Sequence, residues 1–292
     1  MDNLTQSETG ALQRKSLEAA RYFRDFCEQH HLLSYFCGGC CIGAIRHRGF
    51  VPWDDDVDFF MPRGDYETLK AIWNREADTS RYVCVCSGPD LVDHNLFLTI
   101  RDVNTTFIKP YQQDLDIPHG VVLDILPLDG CPDSRFRRRI QKFWALVYSI
   151  YCAQLVPENH GGATALAGRL LLGAVPSRRL RYRIWRFAER QMTRYPIADC
   201  SKVTELCSGP HYMQNEYPAE WFRTSAEKEF EGEPFRLPAG YDSYLRMVFG
   251  DYMCLPPEEQ RVAPHEALFM DLNHSYLEYK GKYYCRKEDL SK

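Results

Sequence analysis

The sequence predicts a mixed α/β (α+β) fold, a mixed sheet core carrying a helical insertion, and three observations predict it. Short apolar or alternating runs bounded by turn residues alternate with runs of helical period over the first 130 residues. From Arg135 to Arg194 the chain carries thirteen Lys or Arg against two acids, a balance of +11 that leaves −15 for the rest. That block also holds the apolar stretches FWALVYSIYCAQLV and ALAGRLLLGAV, and mixed composition returns from Ser201. The expected organisation is a core over 1–130, a basic helical insertion over 131–200, and a C-terminal part of the core with a polar, loose tail over 201–292.

The elements follow in order. Leu17, Ala20, Phe23, Phe26 and Cys27 fall on one face of a helix over Leu12–Leu33. A short apolar run, Tyr35 to Cys37, ends at Gly38-Gly39, and a short helix covers Ile42–His47. Gly49 to Trp53 is a loop, Val57–Met61 a strand stopped by Pro62, and Asp65–Arg75 a helix. Arg81–Cys86, Leu96–Val103 and Val121–Leu126 read as strands. The basic block is helical, broken near Pro157–Gly162 and again at Pro176.

With 45% apolar residues the chain can bury a sizeable core, which excludes disorder as its main state. The net charge of −4 argues against a nucleic-acid partner. The longest uncharged apolar run, Phe143 to Pro157, would reach ~22 Å as a helix, short of the ~30 Å hydrocarbon core. The first residues are polar and acidic, unlike a secretory signal, so a cytoplasmic protein is expected. Its twelve cysteines are then read as reduced thiols acting mostly as small core hydrophobes. Cys37, Cys40 and Cys41 include a C-x-x-C spacing, but no second pair at zinc-site spacing accompanies it.

The densest chemical signal is Trp53-Asp54-Asp55-Asp56-Val57-Asp58. On a strand, Asp56 and Asp58 project from the same face. Carboxylates so close repel unless a cation lies between them, and hard oxygens suit Mg²⁺ or Mn²⁺. A solvated acidic turn opening a strand has the same sequence, and the triplet alone leaves both readings open. Gly38-Gly39, seventeen residues upstream, opens a helix whose N-terminus can receive phosphate, or is a plain turn. Asp124 interrupts the apolar run VVLDIL and is the candidate third carboxylate of a metal centre; a buried Asp paired with a core Arg or a helix N-terminus is the alternative. Arg46, His47, Arg63 and Arg101 flank these segments and are candidates for neutralising donor phosphates, or for structural ion pairs. Trp53, Phe59 and Tyr66 read as core more readily than as a cage for a quaternary ammonium.

The stretch GGCCIGAIRHRGFVPWDDDVDFFMPR, residues 38–63, resembles the LicD family of phosphotransferases, which includes relatives of fukutin. It departs from the family pattern at Cys40 and Cys41, where Thr and Leu are usual. GVVLDILPLDG at 120–130 and FEGEPFRLPAGYDSYLRMVFGDYMCLPPEEQRVAPH at 230–265 resemble the family too, so the likeness spans roughly 15–270; Arg261 and His265 lie in the last stretch without an assigned role. The resemblance implies a polymerase-β-like nucleotidyltransferase core, with Gly38, Gly39, Asp56, Asp58 and Asp124 forming the site. It implies metal-dependent transfer of a phospho-alcohol, such as phosphocholine from CDP-choline, to a glycan or lipid-linked glycan, with CMP released. The basic insertion suits peripheral contact with an anionic membrane, or is an ordinary helical subdomain with a solvated face. Two rivals are a true nucleotidyltransferase that releases pyrophosphate from a nucleoside triphosphate, and a silent scaffold that keeps the fold.

Overall fold

The computed structural model describes residues 5–155, 162–263 and 267–286. Helix α1 (Gln6–Gln29) opens with a reciprocal cap: Thr5 Oγ1 accepts from the Glu8 amide, and the Glu8 carboxylate accepts from the Thr5 amide. It buries Leu12, Leu17, Ala20, Phe23, Phe26 and Cys27, the face its periodicity predicts. Strand β1 (Tyr35–Phe36) leads into α2 (Gly38–Arg46), then β2 (Asp58–Pro62), α3 (Arg63–Glu76) and β3 (Tyr82–Val85). Helix α2 starts four residues before the expected Ile42, because the two glycines form its first turn instead of a turn ahead of it. Next come β4 (Leu98–Asp102), β5 (Thr106–Ile108) and β6 (Val121–Cys131), which runs past the expected end at Leu126. Three helices follow, α4 (Arg135–Ala153), α5 (Gly162–Ala174) and α6 (Arg178–Met192). The chain then forms β7 (Lys202–Glu205), β8 (Tyr217–Pro218), β9 (Ser225–Phe230), β10 (Glu233–Pro238), α7 (Tyr241–Phe249) and β11 (Phe269–Asp271). The predicted break at Pro176 separates α5 from α6; residues 156–161 of the other break, and the tail from 287, lie outside the described residues.

The chain divides into two units. The first comprises the residues up to Val85, Thr99–Leu126 and those from Glu220. Its strands lie in the order β1-β2-β6-β4-β3. Behind β1 and β2, Phe23, Phe36, Phe59, Phe230 and Phe235 form an aromatic cluster with centroid separations of 4.5–5.8 Å. The β9–β10 hairpin supplies two of these rings and turns at Glu231-Gly232, both at positive φ, as a two-residue hairpin requires. Strand β11 pairs with β5 and helps cover Leu12, Phe107 and Val121.

The second unit comprises Cys86–Leu98 and Pro127–Ala219. Its bounds differ from the expected insertion over 131–200, and long-range pairing explains the difference. The later half of β6 pairs with β7, and β7 with β8, which draws in residues beyond 200. The segment before β4 is tied to α4: the Tyr148 hydroxyl donates to the Leu96 carbonyl at 2.7 Å, and His94 Nδ1 meets the Ala153 carbonyl at 2.6 Å. Helices α4 and α6 pack through Ala145, Tyr148, Trp185, Ala188 and Met192. Buried Arg138 donates to Gln141 at 2.8 Å, Thr204 at 2.9 Å and Glu216 at 3.2 Å. No helix among the described residues is long and apolar enough to cross a membrane.

Cys27, Cys37, Cys40, Cys41, Cys131, Cys152, Cys200 and Cys207 are buried, as small core hydrophobes should be, whereas Cys254 is exposed. Burial pushes the Cys27 thiol up to about 12 and Cys37 and Cys40 well above the ordinary thiol range.

Glu205 on β7 is buried, and burial raises its carboxyl to about 7, although the Cys207 and Ser208 amides donate to it. Between the ordinary glutamate value and about 7, the folded chain keeps a proton that the unfolded chain releases. Stability should therefore fall as pH rises through that window, by up to about 3 kcal/mol. Urea midpoints measured across the window should show the decline, and Glu205→Gln should flatten it.

Candidate active site

The site is built where α2, the loop before β2, and β6 meet in the first unit. The loop is held from α1: Gln13 Nε2 donates to the Val51 carbonyl at 3.1 Å and to the Asp54 carbonyl at 2.8 Å. The Asp54 amide donates back to the Val51 carbonyl at 2.9 Å, closing a turn. Asp54, Asp55 and Asp56 each present a carboxylate oxygen, all within 4.8 Å of one another. The strand expected from Val57 begins one residue later, so Asp56 precedes it while its charge still acts on Asp58. Between the turn that closes at Asp54 and the start of β2, Asp54 and Asp55 join Asp56 in the tightest acidic group among the described residues.

Asp58 belongs to the same corner electrostatically. Burial, then the charges of Asp56, Asp124 and Asp54, push its carboxyl well above the ordinary carboxylate range, while Lys109 pulls it down. Burial and then Asp56 do the same to Asp54. Asp124 arrives on β6: its amide donates to the Val57 carbonyl at 3.1 Å, which sets it beside the start of β2. Its neighbours Leu123 and Ile125 are fully buried on the opposite face. Asp124 Oδ2 lies 4.0 Å from Lys109 Nζ, and Oδ1 is buried with no hydrogen-bond partner among the described residues. A cavity of about 20 Å³, room for one water-sized sphere, is lined by Asp55, Asp56, Asp124, Lys109 and Ser16. An unpartnered buried carboxylate oxygen beside mutually repelling carboxylates fits a small, hard divalent cation.

Lys109, Gln13 and Tyr244 were not legible as site residues. Burial works to lower the Lys109 ammonium, but the Asp124 and Asp56 charges outweigh it and hold it raised. A lone cation between the apolar run TTFI and Pro110 was the signal available for it. Tyr244, buried on α7, accepts the Gly38 amide at 3.1 Å through its hydroxyl.

Contact requires glycine at position 39, and positive φ favours it at position 38. A Cβ on Gly39 would lie 2.0 Å from Asp54 Oδ2, and Gly38, at φ +50°, faces Asp58 Oδ2. Carboxylates of the acidic segment thus lie beside the helix start that the sequence offers to donor phosphate.

The basic candidates separate. Arg46 Nη1 donates to the Tyr252 carbonyl at 2.7 Å and to that of Cys254 at 3.2 Å; burial and the nearby Arg261 charge lower its pKa. Burial, then Arg46, lower that of His47. Arg261 lies over the Trp53 ring at 5.8 Å, and both line a cavity of about 290 Å³ with Thr9 and Gln6. Arg63 pairs with Glu67 on its own helix and lies over Tyr66. Arg101 is buried and donates to the Pro118 carbonyl at 2.7 Å and to Thr99 at 3.0 Å. Almost wholly buried, it braces the loop after β5 through Gln112 and Pro118. Phe59 and Tyr66 are core residues, as expected, and His265 lies outside the described residues.

Residues 33–132 match the family described as "LicD/FKTN/FKRP, nucleotidyltransferase domain", and this segment carries both glycines and all five carboxylates. The chain carries a LicD domain. It is also similar to the lipopolysaccharide cholinephosphotransferase LicD of Haemophilus influenzae, 27% identical over 263 residues that cover 84% of this chain and 91% of that protein. It is an enzyme of the LicD type.

The Gly39 contact yields a direct test. Gly39→Ala should displace the Asp54 carboxylate and weaken Mn²⁺ binding, read by electron paramagnetic resonance, by about tenfold or more. The far-ultraviolet circular dichroism should be unchanged. Wild-type Mn²⁺ affinity in that variant would detach Gly39 from the acidic cluster.

Proposed function

We propose that this LicD-type enzyme transfers a phospho-alcohol, phosphocholine in the first instance, from a CDP-alcohol to a hydroxyl of a cell-surface glycan, and releases CMP. The observation that carries the reading is the similarity to a cholinephosphotransferase along most of both chains. The acidic corner supports it chemically, because cleaving a pyrophosphate needs concentrated compensation of negative charge. We further assign the first unit to the polymerase-β-like nucleotidyltransferase class. A helix opening on two glycines, an acidic segment leading into β2, and an acid on the adjacent β6 support that assignment.

In this reading Asp54, Asp55, Asp56 and Asp58 would hold Mg²⁺ or Mn²⁺, with Asp124 beside Asp58. The cation supplies, when bound, neutralisation of the donor pyrophosphate and of the charge on the departing oxygen. Asp124, on the edge of this acidic corner, would receive the proton of the acceptor hydroxyl. The acceptor oxygen bonds to the distal phosphorus as the bond from that phosphorus to the bridging oxygen breaks, and CMP leaves with the electron pair. Lys109 keeps Asp124 oriented and offsets the cluster's charge. Arg46 and Arg261, close enough to repel, offer cationic groups to the donor phosphates.

Parallel reactions with CDP-choline, CDP-ribitol, CTP and ATP, with extracted envelope glycan as acceptor, test this reading. CMP should form from a CDP-alcohol only when acceptor and Mg²⁺ are both present. Pyrophosphate from a triphosphate, with no CMP from any CDP-alcohol, would establish the nucleotidyltransferase instead. Asp58→Asn should lower the rate by at least about 100-fold with the fold intact, since charge held at the reacting phosphate is worth several kcal/mol. Wild-type turnover at saturating Mg²⁺ would remove Asp58 from the site.

A further inference from the structure

We infer that the second unit docks on an anionic phospholipid surface through the outer face of α4 and α6. The buried residues of α4, Arg138, Gln141, Ala145, Tyr148 and Cys152, follow helical spacing and face the core. On the opposite side stand Phe136 and Phe143, 71% and 56% exposed. In α6 the exposed residues Leu180, Arg183, Phe187 and Arg190 recur at intervals of three and four, so apolar and cationic groups alternate along one stripe. An edge-to-face chain joins the two faces: Phe143 to Trp144 at 5.1 Å and Trp144 to Phe187 at 5.2 Å. Trp144, Leu180, Arg183, Phe187 and Arg190 line one open groove of about 760 Å³.

Charge commits this face to one occupant. Between Arg135 and Arg194 there are thirteen cations and two acids. Of the acids, Glu158 lies outside the described residues, and Glu189 is buried and paired with Arg186. Among the described residues of this block no exposed carboxylate opposes an anionic surface. Each cation near lipid headgroups is worth about 1 kcal/mol, and exposed Phe and Leu gain by entering the acyl boundary. A nucleic acid would use the arginines but leave Phe143, Phe187 and Leu180 in water. Since no described helix is long and apolar enough to span, the contact is peripheral.

The test is flotation of the full chain with phosphatidylcholine vesicles, with or without phosphatidylglycerol, at low and high salt. The chain should float with the anionic vesicles, much less with neutral ones, and salt should weaken the binding. Arg183→Glu with Arg190→Glu should cut the association constant by about tenfold or more, and Phe143→Ser with Phe187→Ser should abolish the binding that survives at high salt. Circular dichroism melts verify that both variants fold. Absence of flotation with anionic vesicles at low salt, equal flotation with neutral ones, or wild-type binding by the folded arginine variant would overturn the proposal. So would tighter binding to duplex DNA than to the anionic vesicles, lost in the same arginine variant. The lipid-composition comparison uses only the unmodified chain and stands even if a variant misfolds.

Discussion

Mutual repulsion among Asp54, Asp55, Asp56, Asp58 and Asp124 is the constraint around which the first unit is built. Carboxylates drawn together out of water would ordinarily part or take up protons. Here they are restrained from several sides. Gln13 fixes the turn by its carbonyls, leaving the carboxylates to other partners. The missing Cβ of Gly39 lets Asp54 approach the backbone. The hydrogen bond from Asp124 to Val57 sets β6 against the acidic segment, and Lys109 supplies the opposing charge. Arg101, fully buried, steadies the loop that carries Lys109 by bonding to its far end at Pro118. Elements from residue 13 to residue 124 thus share one electrostatic task.

The departure of Cys40 from the usual family residue is absorbed in the same corner. Its thiol is buried, and Sγ lies 3.8 Å from the Asp56 carbonyl. A weak donor replaces a stronger hydroxyl, and the apolar volume of sulfur fills the space. Cys41, fully buried on the same helix, stands in for a leucine at the cost of some volume.

What could be read in advance follows from the range of the interactions. The α1 face, the strand near Asp58 and the break at Pro176 rest on local periodicity or on proline, and the structure contains all three. The acids of the site were legible because their charges interrupt apolar surroundings. Their grouping was not, since it depends on a turn pinned by Gln13, forty-one residues away in sequence. Lys109 and Tyr244 likewise meet their partners only through the tertiary fold, across 15 and 206 positions. The second unit's bounds were hidden for the same reason: the ties of Leu96 and His94 to α4 cross more than fifty residues.

The exposed thiol of Cys254 gives the molecule a natural attachment point for a spectroscopic reporter. Its backbone carbonyl accepts from Arg46, so a fluorophore on this sulfur would sit within the same residue as that contact. The thiol lies 2.9 Å from the Asp251 carboxylate, which raises its pKa and favours labelling in mildly alkaline buffer. With eight of the other cysteines buried, brief labelling would act chiefly at this position, and changes around Arg46 could be followed as emission in real time.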